Sequence, residues 1–354
     1  MKPGCYINGT GCVSAQKTFD SGFLSEVAVL DNQNVIHAQE PSYKEMIPPA
    51  MSRRMAKGVK MGIFASTTAL KEANLDVPEA IITGTGMGCM EDSEKFLKAI
   101  LNNKEEFLTP TSFIQSTHNT VAGQIALGLK CTGYNFTYVN GSVSFESALM
   151  DAKLQIEADE VKSVLVGGID ETAQHTTDLL KLIGIVKKEE DQPYDVLDSS
   201  SEGIVLSEGA TFFVLENEQK ENSYAQFEAV SMMNVLPVDE VEDFIGGFLA
   251  SNGIAPEAID AVILGNNGDT AFDGYYKPVA SLFSNTPQVY YKHLSGEYNT
   301  ASAFGFWIGA NILRNQEIPA VVKMNSEKRK AYNYVLLYNQ FQGKDHSLIL
   351  LKKC

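Results

Sequence analysis

The sequence predicts an α/β protein. Short runs rich in β-branched and aromatic residues alternate with helix-period segments along the whole chain. Two of these runs, at residues 82 and 263, lead directly into glycine turns, as buried strands do before a helix. Of the 354 residues, 44% are hydrophobic and 20% are charged, which is enough for a large core. Intrinsic disorder and a small disulfide-held scaffold are therefore excluded.

The predicted strands are short, apolar and separated by turns or helix-period segments. They cover residues 5–8, 80–83, 135–139, 163–166, 211–216, 261–264, 288–291, 319–324 and 347–351. The stretch 186–201 is charged and then serine-rich, and is predicted to be a surface excursion.

Three helices have the clearest signals. Ser52 is a candidate N-cap for a helix over residues 53–73, and Asn74 is a candidate stop signal. Apolar residues recur at helical spacing over residues 144–157 and again over 301–314.

Four strand signals of the first half recur in the same order in the second half. The matched runs begin at residues 82 and 263, 136 and 289, 163 and 319, and 210 and 346. Repeated signals in one order indicate a duplicated α/β half.

The chain is strongly acidic, with 28 Lys plus Arg against 44 Asp plus Glu and a formal net charge of −16. This charge repels phosphate backbones, so we expect no nucleic-acid partner. The longest apolar stretch, 301–313, contains Ser302 and Asn311 and is shorter than the roughly 20 residues of a membrane span, so we expect no membrane insertion. The first residues contain no apolar signal core, and we expect a cytoplasmic protein.

Metal and cofactor motifs are missing from the sequence. The five cysteines form no CxxC pair, and the five histidines form no HxxxH or HExxH pair. The glycine turn at 84–88 has Cys89 where a GxGxxG motif would have its last glycine. We therefore expect no metal, no cofactor and no disulfide framework.

Four strings resemble signatures of the β-ketoacyl-acyl carrier protein synthases, and the resemblance spans essentially the whole chain. They are Met51-Ser-Arg-Arg-Met, Thr83-Gly-Thr-Gly-Met-Gly, Val166-Gly-Gly-Ile-Asp-Glu and Glu202-Gly-Ile-Val-Leu-Ser-Glu-Gly-Ala. The resemblance implies a thiolase-like fold, in which duplicated βαβαβαββ halves pack as five α-β-α-β-α layers. It divides the chain into an N-terminal half, 1–217, and a shortened C-terminal half, 218–354, within one integrated unit.

The resemblance also implies a catalytic cysteine and two histidines, but this chain differs at all three positions. Ser142 stands in place of the cysteine, Asn267 in place of the first histidine and Glu297 in place of the second, whereas Lys292 keeps the family identity. A serine hydroxyl forms no ready anion, and asparagine cannot shuttle a proton. An ionised glutamate opposes the negative charge of an enolate.

These substitutions favour a non-condensing subunit similar to the chain-length factors. Such subunits pair with an active ketosynthase and shape the tunnel for a fatty acid, polyketide or aryl polyene chain. One alternative is an active acyltransferase of altered chemistry that uses Ser142 or Glu297, and another is a binding protein outside lipid synthesis. The implied partners are an acyl carrier protein and a cysteine-containing ketosynthase in a heterodimer, or a second copy of this chain.

Two further groups of residues follow from the resemblance. The positions that match the acyl pocket are Thr117, His118 and Phe341. The cations that match a docking site for an acidic carrier protein are Arg53, Arg54 and Lys57. An ordinary solvated helix face explains these cations equally well.

Overall fold

The computed structural model describes residues 3–19 and 22–354, and its elements alternate as an α/β protein should. The helices are α1 (Pro49–Ser52), α2 (Lys57–Ala73), α3 (Met90–Asn102), α4 (Pro110–Ser116), α5 (Thr120–Leu129), α6 (Ser144–Glu157), α7 (Gln174–Leu182), α8 (Val241–Ser251), α9 (Tyr276–Leu282), α10 (Lys292–Ser295) and α11 (Ser302–Asn315). The strands are β1 (Tyr6–Val13), β2 (Ala80–Gly84), β3 (Tyr134–Tyr138), β4 (Ser163–Asp170), β5 (Gly209–Glu216), β6 (Ala225–Asn234), β7 (Ala261–Leu264), β8 (Gln288–Tyr290), β9 (Tyr334–Phe341) and β10 (Asp345–Lys352).

The strand order confirms the duplication. The described strands form one mixed sheet in the order β3-β2-β4-β5-β1-β6-β10-β9-β7-β8. The first half-sheet is β3-β2-β4-β5-β1, and the second half-sheet, read from its outer edge, is β8-β7-β9-β10-β6. Each has the same succession of parallel and antiparallel pairs. The halves meet where Tyr6 and Ile7 of β1 pair antiparallel with β6. A domain boundary at residue 217 stays a prediction.

Three apolar clusters separate the layers. One lies between the first half-sheet and helices α2 and α5, and another between the second half-sheet and helices α8 and α9. The central cluster contains α6 and α11 and takes side chains from both half-sheets. At its middle the rings of Phe213 and Phe306 meet edge to face, with centroids 4.7 Å apart. The result is the predicted five-layer, thiolase-like arrangement.

Close contact between β1 and α2 depends on glycine. A Cβ atom on Gly11 would lie 2.0 Å from the carbonyl oxygen of Ala65, and one on Gly9 would lie 2.1 Å from that of Ala69. Backbone atoms cannot move away as a flexible side chain can, so only glycine lets α2 pack at this distance.

The predicted strand at 319–324 is wrong. Residues Ala320–Val322 form a 3₁₀ turn after Pro319, which lacks the N–H group that a central strand needs and suits the start of a helical turn. The counterpart of β4 is instead β9, at Tyr334–Phe341. Strand β6 was not predicted, because its exposed end carries no regular apolar alternation. The other three matched pairs of runs are confirmed.

The helix predicted over 53–73 is interrupted at its start. Ser52 is the last residue of α1, and α2 begins only at Lys57, without a side-chain cap. Its predicted end is confirmed, because Asn74 adopts the left-handed conformation and donates its backbone N–H to Leu70. The helices predicted over 144–157 and 301–314 are also confirmed, the second one residue later in the chain.

Most of the stretch 186–201 lies at the surface, as predicted, but Val186, Lys187, Tyr194 and Val196 are buried. Within the described part of the chain, no helix combines the length and apolarity needed to cross a bilayer.

Candidate functional site

Ser142 lies in the 3₁₀ turn Gly141–Val143 that leads into α6. Its side chain is buried, and its Oγ donates a hydrogen bond to Oδ2 of Asp345, 2.8 Å away on β10. The other carboxylate oxygen of Asp345 accepts a hydrogen bond from Asn234 at 3.0 Å. The serine at the cysteine position is therefore held by a carboxylate.

The histidine next to Asp345 does not assist Ser142. Successive residues of a strand face opposite sides, and Asp345 faces the central layer, whereas His346 faces the outer layer of the second half. His346 Nδ1 lies 2.9 Å from the hydroxyl of Tyr338, and burial lowers the pKa of the imidazole. Among the described residues, no imidazole forms a hydrogen bond with Ser142.

The other three predicted site residues come together in a buried network. Lys292 Nζ donates to Oε2 of Glu297 at 2.6 Å, and Asn267 Nδ2 donates to the same oxygen at 2.7 Å. Lys292 also donates to Oδ1 of Asn339 on β9 at 2.8 Å. The Lys292 and Glu297 side chains are only 1% and 5% exposed, so solvent screens this ion pair weakly.

The backbone holds the network in place. The N–H of Glu297 donates to the carbonyl of Val205, and the carbonyl of Glu297 accepts from the N–H of Ser207. Gly296 precedes it with φ +65°, a conformation that favours glycine. Asn267 follows β7, and its Oδ1 accepts the N–H of Asp269 at 3.1 Å. Both the nitrogen and the oxygen of the Asn267 amide are thus hydrogen-bonded, which fixes the orientation of the amide.

Lys187, which was not predicted as a site residue, stabilises the same turn. Its ammonium group donates to the carbonyl oxygen of Gly268 at 2.7 Å and to oxygens of Ser199 and Ser201 at 2.9–3.0 Å. Burial lowers the pKa of Lys187, although the charges of Asp269 and other aspartates oppose this. A lysine inside a charged, serine-rich run is normally a surface residue, so no feature of the sequence indicated that Lys187 is buried against the turn.

A fully buried carboxyl group lies one helical turn after Ser142. Glu146 accepts a hydrogen bond from Ser347 Oγ at 2.8 Å. In the described part of the chain, its Oε2, the Tyr291 hydroxyl and the Ser302 hydroxyl have no hydrogen-bond partner. Burial raises the pKa of Glu146, which favours the neutral carboxyl group.

A cavity of about 180 Å³ adjoins Glu297. Met87, Met90 and Phe341 supply apolar lining, and Asp170, Glu171 and Glu297 supply carboxyl groups. No cationic side chain lines it among the described residues. Phe341, predicted for the acyl pocket, is therefore beside the site.

Glu171, one of the carboxyl groups of this cavity, accepts hydrogen bonds from two backbone N–H groups. Its Oε2 accepts the N–H of Gly58 at 2.5 Å, and its Oε1 accepts the N–H of Glu91 at 3.0 Å. Burial raises the pKa of Glu171 to about 7, although these two hydrogen bonds act in the opposite direction.

The other two predicted pocket residues lie one segment away from the cavity. Thr117 donates its hydroxyl to the carbonyl of Ile114 at the junction of α4 and α5, and His118 is exposed. His118 packs against Gly88, whose neighbour Met87 lines the cavity. Ser142 is not among the lining residues either, so the structure brings the predicted pocket together only in part.

The three candidate docking cations differ in their surroundings. Arg53 and Arg54 are exposed, but Lys57 Nζ forms an ion pair with Glu208 at 2.7 Å. Burial alone would raise the pKa of Glu208, but a hydrogen bond from His37 and the charge of Lys57 lower it to about 2. Lys57 therefore stabilises the interior and is not free to meet a partner.

A profile of the beta-ketoacyl synthase N-terminal domain matches residues 29–221. A search of curated protein sequences gives no match.

Solved structures with the same fold span nearly the full chain. The ishigamide ketosynthase/chain length factor has 18% identity, a TM-score of 0.78 and coverage of 100% of both chains. The type II polyketide synthase complex AntDE:AntF, a carrier protein with its ketosynthase, has 15% identity, a TM-score of 0.76 and coverage of 100% of both chains. The ketosynthase ApeO in complex with its chain length factor ApeC, from Xenorhabdus doucetiae, has 15% identity and a TM-score of 0.75, and covers 99% of this chain and 98% of that one.

Proposed function

This chain belongs to the β-ketoacyl synthase family, and from that premise we propose that it is a non-condensing subunit of the chain-length-factor kind. In this proposal it binds a ketosynthase that supplies the catalytic cysteine, and it shapes the tunnel around the growing chain. The product is a fatty acid, a polyketide or an aryl polyene assembled on a carrier protein.

The main support for this proposal is the buried ion pair between Lys292 and Glu297. Decarboxylation of a malonyl unit develops an enolate, which needs hydrogen-bond donors or positive charge aimed at its oxygen. Here the carboxylate of Glu297 accepts hydrogen bonds from both the Lys292 ammonium and the Asn267 amide, so neither donor is left for an enolate oxygen. A carboxylate at this position opposes the developing negative charge, so the network suits a folded, inert centre rather than condensation.

One observation favours a second candidate, an acyltransferase of altered chemistry. The hydrogen bond from Ser142 to Asp345 places a carboxylate where it would receive the hydroxyl proton during acylation. A carboxylate is a weak base for a serine hydroxyl, and catalytic serines use a neighbouring base of higher pKa. Glu297 is a poorer base still, because Lys292 and Asn267 already occupy it. The non-condensing role is therefore the better supported of the two.

The edge of the first half-sheet supports the partner. β3 is the outermost strand, and Tyr134, Phe136 and the following Val139 are 39%, 46% and 48% exposed. An edge strand has unpaired backbone groups, and exposed aromatic side chains beside them favour association with another chain. We place the ketosynthase, or a second copy of this chain in its absence, against this edge.

A reconstitution experiment tests the proposed role. The chain is incubated with acyl and malonyl carrier proteins, first alone and then with a candidate cysteine-containing ketosynthase, and product is measured by mass spectrometry. We expect elongation only in the mixture, with the same rate when this chain carries Ser142→Ala. As a control, replacing the partner's catalytic cysteine by alanine should abolish elongation in the mixture. Elongation by this chain alone contradicts the proposal.

A test for acylation of Ser142 distinguishes the acyltransferase candidate from the non-condensing role. The purified chain is incubated with an acyl thioester, and its intact mass is compared with that of Ser142→Ala. We expect no adduct on either protein, because no imidazole activates the hydroxyl. An adduct on the unsubstituted chain that Ser142→Ala removes would establish covalent acyl transfer.

Carrier docking is expected at Arg53 and Arg54, since Lys57 is occupied by Glu208. Reversing both arginines to glutamate should weaken carrier binding at least tenfold at low salt, and less at high salt because exposed charges are screened. Lys328→Glu with Lys330→Glu, at two exposed cations of the other half, is the matched control and should leave the affinity unchanged. Equal affinities of the two double variants, measured by calorimetry, would refute docking at these arginines.

A further inference from the structure

A second cavity, of about 350 Å³, opens on the outer face of the first half. Its lining residues are uncharged, and it contains no residue of the network around Glu297. The main apolar lining residues are Met46, Ile47, Met51, Met55, Ile63 and Leu129. Its volume falls within the about 300–1,000 Å³ of small-ligand pockets, and methionine side chains adapt readily to a flexible apolar occupant.

Three cations of this strongly acidic chain are next in sequence to residues that line the cavity. Arg53 and Arg54 lie between Met51 and Met55 in the sequence, and Lys130 directly follows Leu129. All three are exposed, and within the described residues none of them forms an ion pair. An uncharged lining with unpaired cations beside it is complementary to a ligand with an apolar tail and an anionic head.

We propose that this cavity binds a single-chain anionic amphiphile, with the alkyl chain between α2 and α5 and the acid group towards Arg53, Arg54 and Lys130. The cavity takes its lining from α1, α2, α5, the segment before α1 and the segment between α1 and α2, and so it is distinct from the cavity beside Glu297. The proposal does not rest on the proposed function, because it needs neither a ketosynthase partner nor a carrier protein.

Two glycines of α5 provide a matched pair of variants. Gly128 lines the cavity, and Gly123 does not. Both are exposed, and a Cβ atom on either would meet nothing within 4 Å. Gly128→Leu should therefore fill part of the cavity without disturbing the helix, and Gly123→Leu makes the same chemical change on the same helix outside the cavity.

Decanoate is the probe, and calorimetry on the full chain without partner or carrier is the measurement. We expect saturable binding of decanoate, about tenfold weaker binding of octanoate because two methylenes are lost, and weaker binding of decylamine because its charge is reversed. Gly128→Leu should weaken decanoate binding at least tenfold, and Gly123→Leu should leave it within twofold. Thermal melting curves of both variants check that the fold is retained.

The proposal is overturned by any of three results. They are the lack of saturable decanoate binding, equal affinities of the Gly128→Leu and Gly123→Leu variants, and equal affinities for decanoate and decylamine. None of these results bears on reconstitution with a ketosynthase, so the two proposals fail independently.

Discussion

At the scale of single residues, the candidate site is organised around Glu297. It accepts hydrogen bonds from Lys292 and Asn267, and Lys292 reaches Asn339 as well. The sequence singled out the first three of these positions, because the spacing around them resembles that of the family, and the structure brings them into one network. It did not identify Asn339, or Asp345 beside Ser142, because such partners come from distant strands. Ser142 and Asp345 are 203 positions apart.

Removing the charge of Glu297 should destabilise the fold. Glu297→Gln keeps the shape but leaves the Lys292 ammonium buried without its carboxylate, and we expect a loss of about 3–5 kcal/mol in urea unfolding. The double variant Lys292→Met, Glu297→Leu removes both charges and should lose less stability than the summed losses of Lys292→Met alone and Glu297→Leu alone. Additive losses would mean that the two side chains are not coupled.

Stability should depend on pH through two carboxyl groups, that of the buried Glu171 and that of the half-buried Asp273. Burial raises the pKa of Asp273 from 3.8 to about 6, and burial also raises the pKa of Glu171 from 4.5 to about 7. The folded chain holds these protons more tightly than the unfolded chain. Their contribution to stability is therefore complete below the unfolded pKa values and is lost as the pH rises through about 6 to 7.

Asp273→Asn tests this dependence, because asparagine keeps an oxygen for the N–H of Gly268 and does not titrate. Between pH 4 and pH 7, the unsubstituted chain should lose about 2 kcal/mol relative to Asp273→Asn in urea unfolding. Asp239→Asn, at an exposed aspartate, is the control and should parallel the unsubstituted chain. If the free energy of unfolding changed equally with pH in all three proteins, the prediction would be contradicted.

At the scale of elements, the strands and helices differ in how well the sequence predicts them. The strand pairs β2/β7, β3/β8 and β5/β10 were found from apolar runs next to turns. The pair β4/β9 was missed, because residues 319–324 are apolar, lie close to the expected position and were matched to β4 instead. In the structure Pro319 precedes a 3₁₀ turn. Short apolar runs do not reveal which of two neighbouring segments joins a sheet, since that choice is made by packing.

The β1–α2 contact allows a sharp test. Gly11→Ala places a methyl group against the backbone of Ala65, and we expect it to destabilise the fold by about 1–3 kcal/mol. Gly247→Ala, in the helix α8 where a Cβ atom meets nothing within 4 Å, should stabilise the fold by up to about 1 kcal/mol. Urea unfolding of both variants measures the difference. Equal effects would show that α2 does not depend on glycine at this position.

At the scale of the whole molecule, the duplicated architecture was predictable but the surface was not. Family resemblance and repeated strand signals lead to two halves and five layers, because burial constrains the sequence throughout the core. Exposed side chains are under no such constraint. Neither the open edge at β3 nor the cavity beside Arg53 could therefore be inferred from the sequence.

The β3 edge can be tested as the partner surface. Phe136→Lys adds a charge to the exposed edge, and we expect it to weaken the complex with the ketosynthase at least tenfold, because a lysine would be desolvated at the interface. Leu282→Lys, at an exposed leucine of α9, should leave the complex unchanged. Sedimentation of each variant with the partner distinguishes the two. An intact Phe136→Lys complex would mean that the partner binds elsewhere.

The Lys292–Glu297 pair also bears on the history of this chain. A lineage that lost condensation would return to it by regaining the cysteine at 142 and the imidazoles at 267 and 297. Changing Glu297 first would leave a buried ammonium without its carboxylate, at a cost of about 3–5 kcal/mol, which is a large share of the stability of an ordinary fold. In the proposed role, a first change at Glu297 is therefore selected against before any activity returns, and the buried pair acts as an evolutionary ratchet.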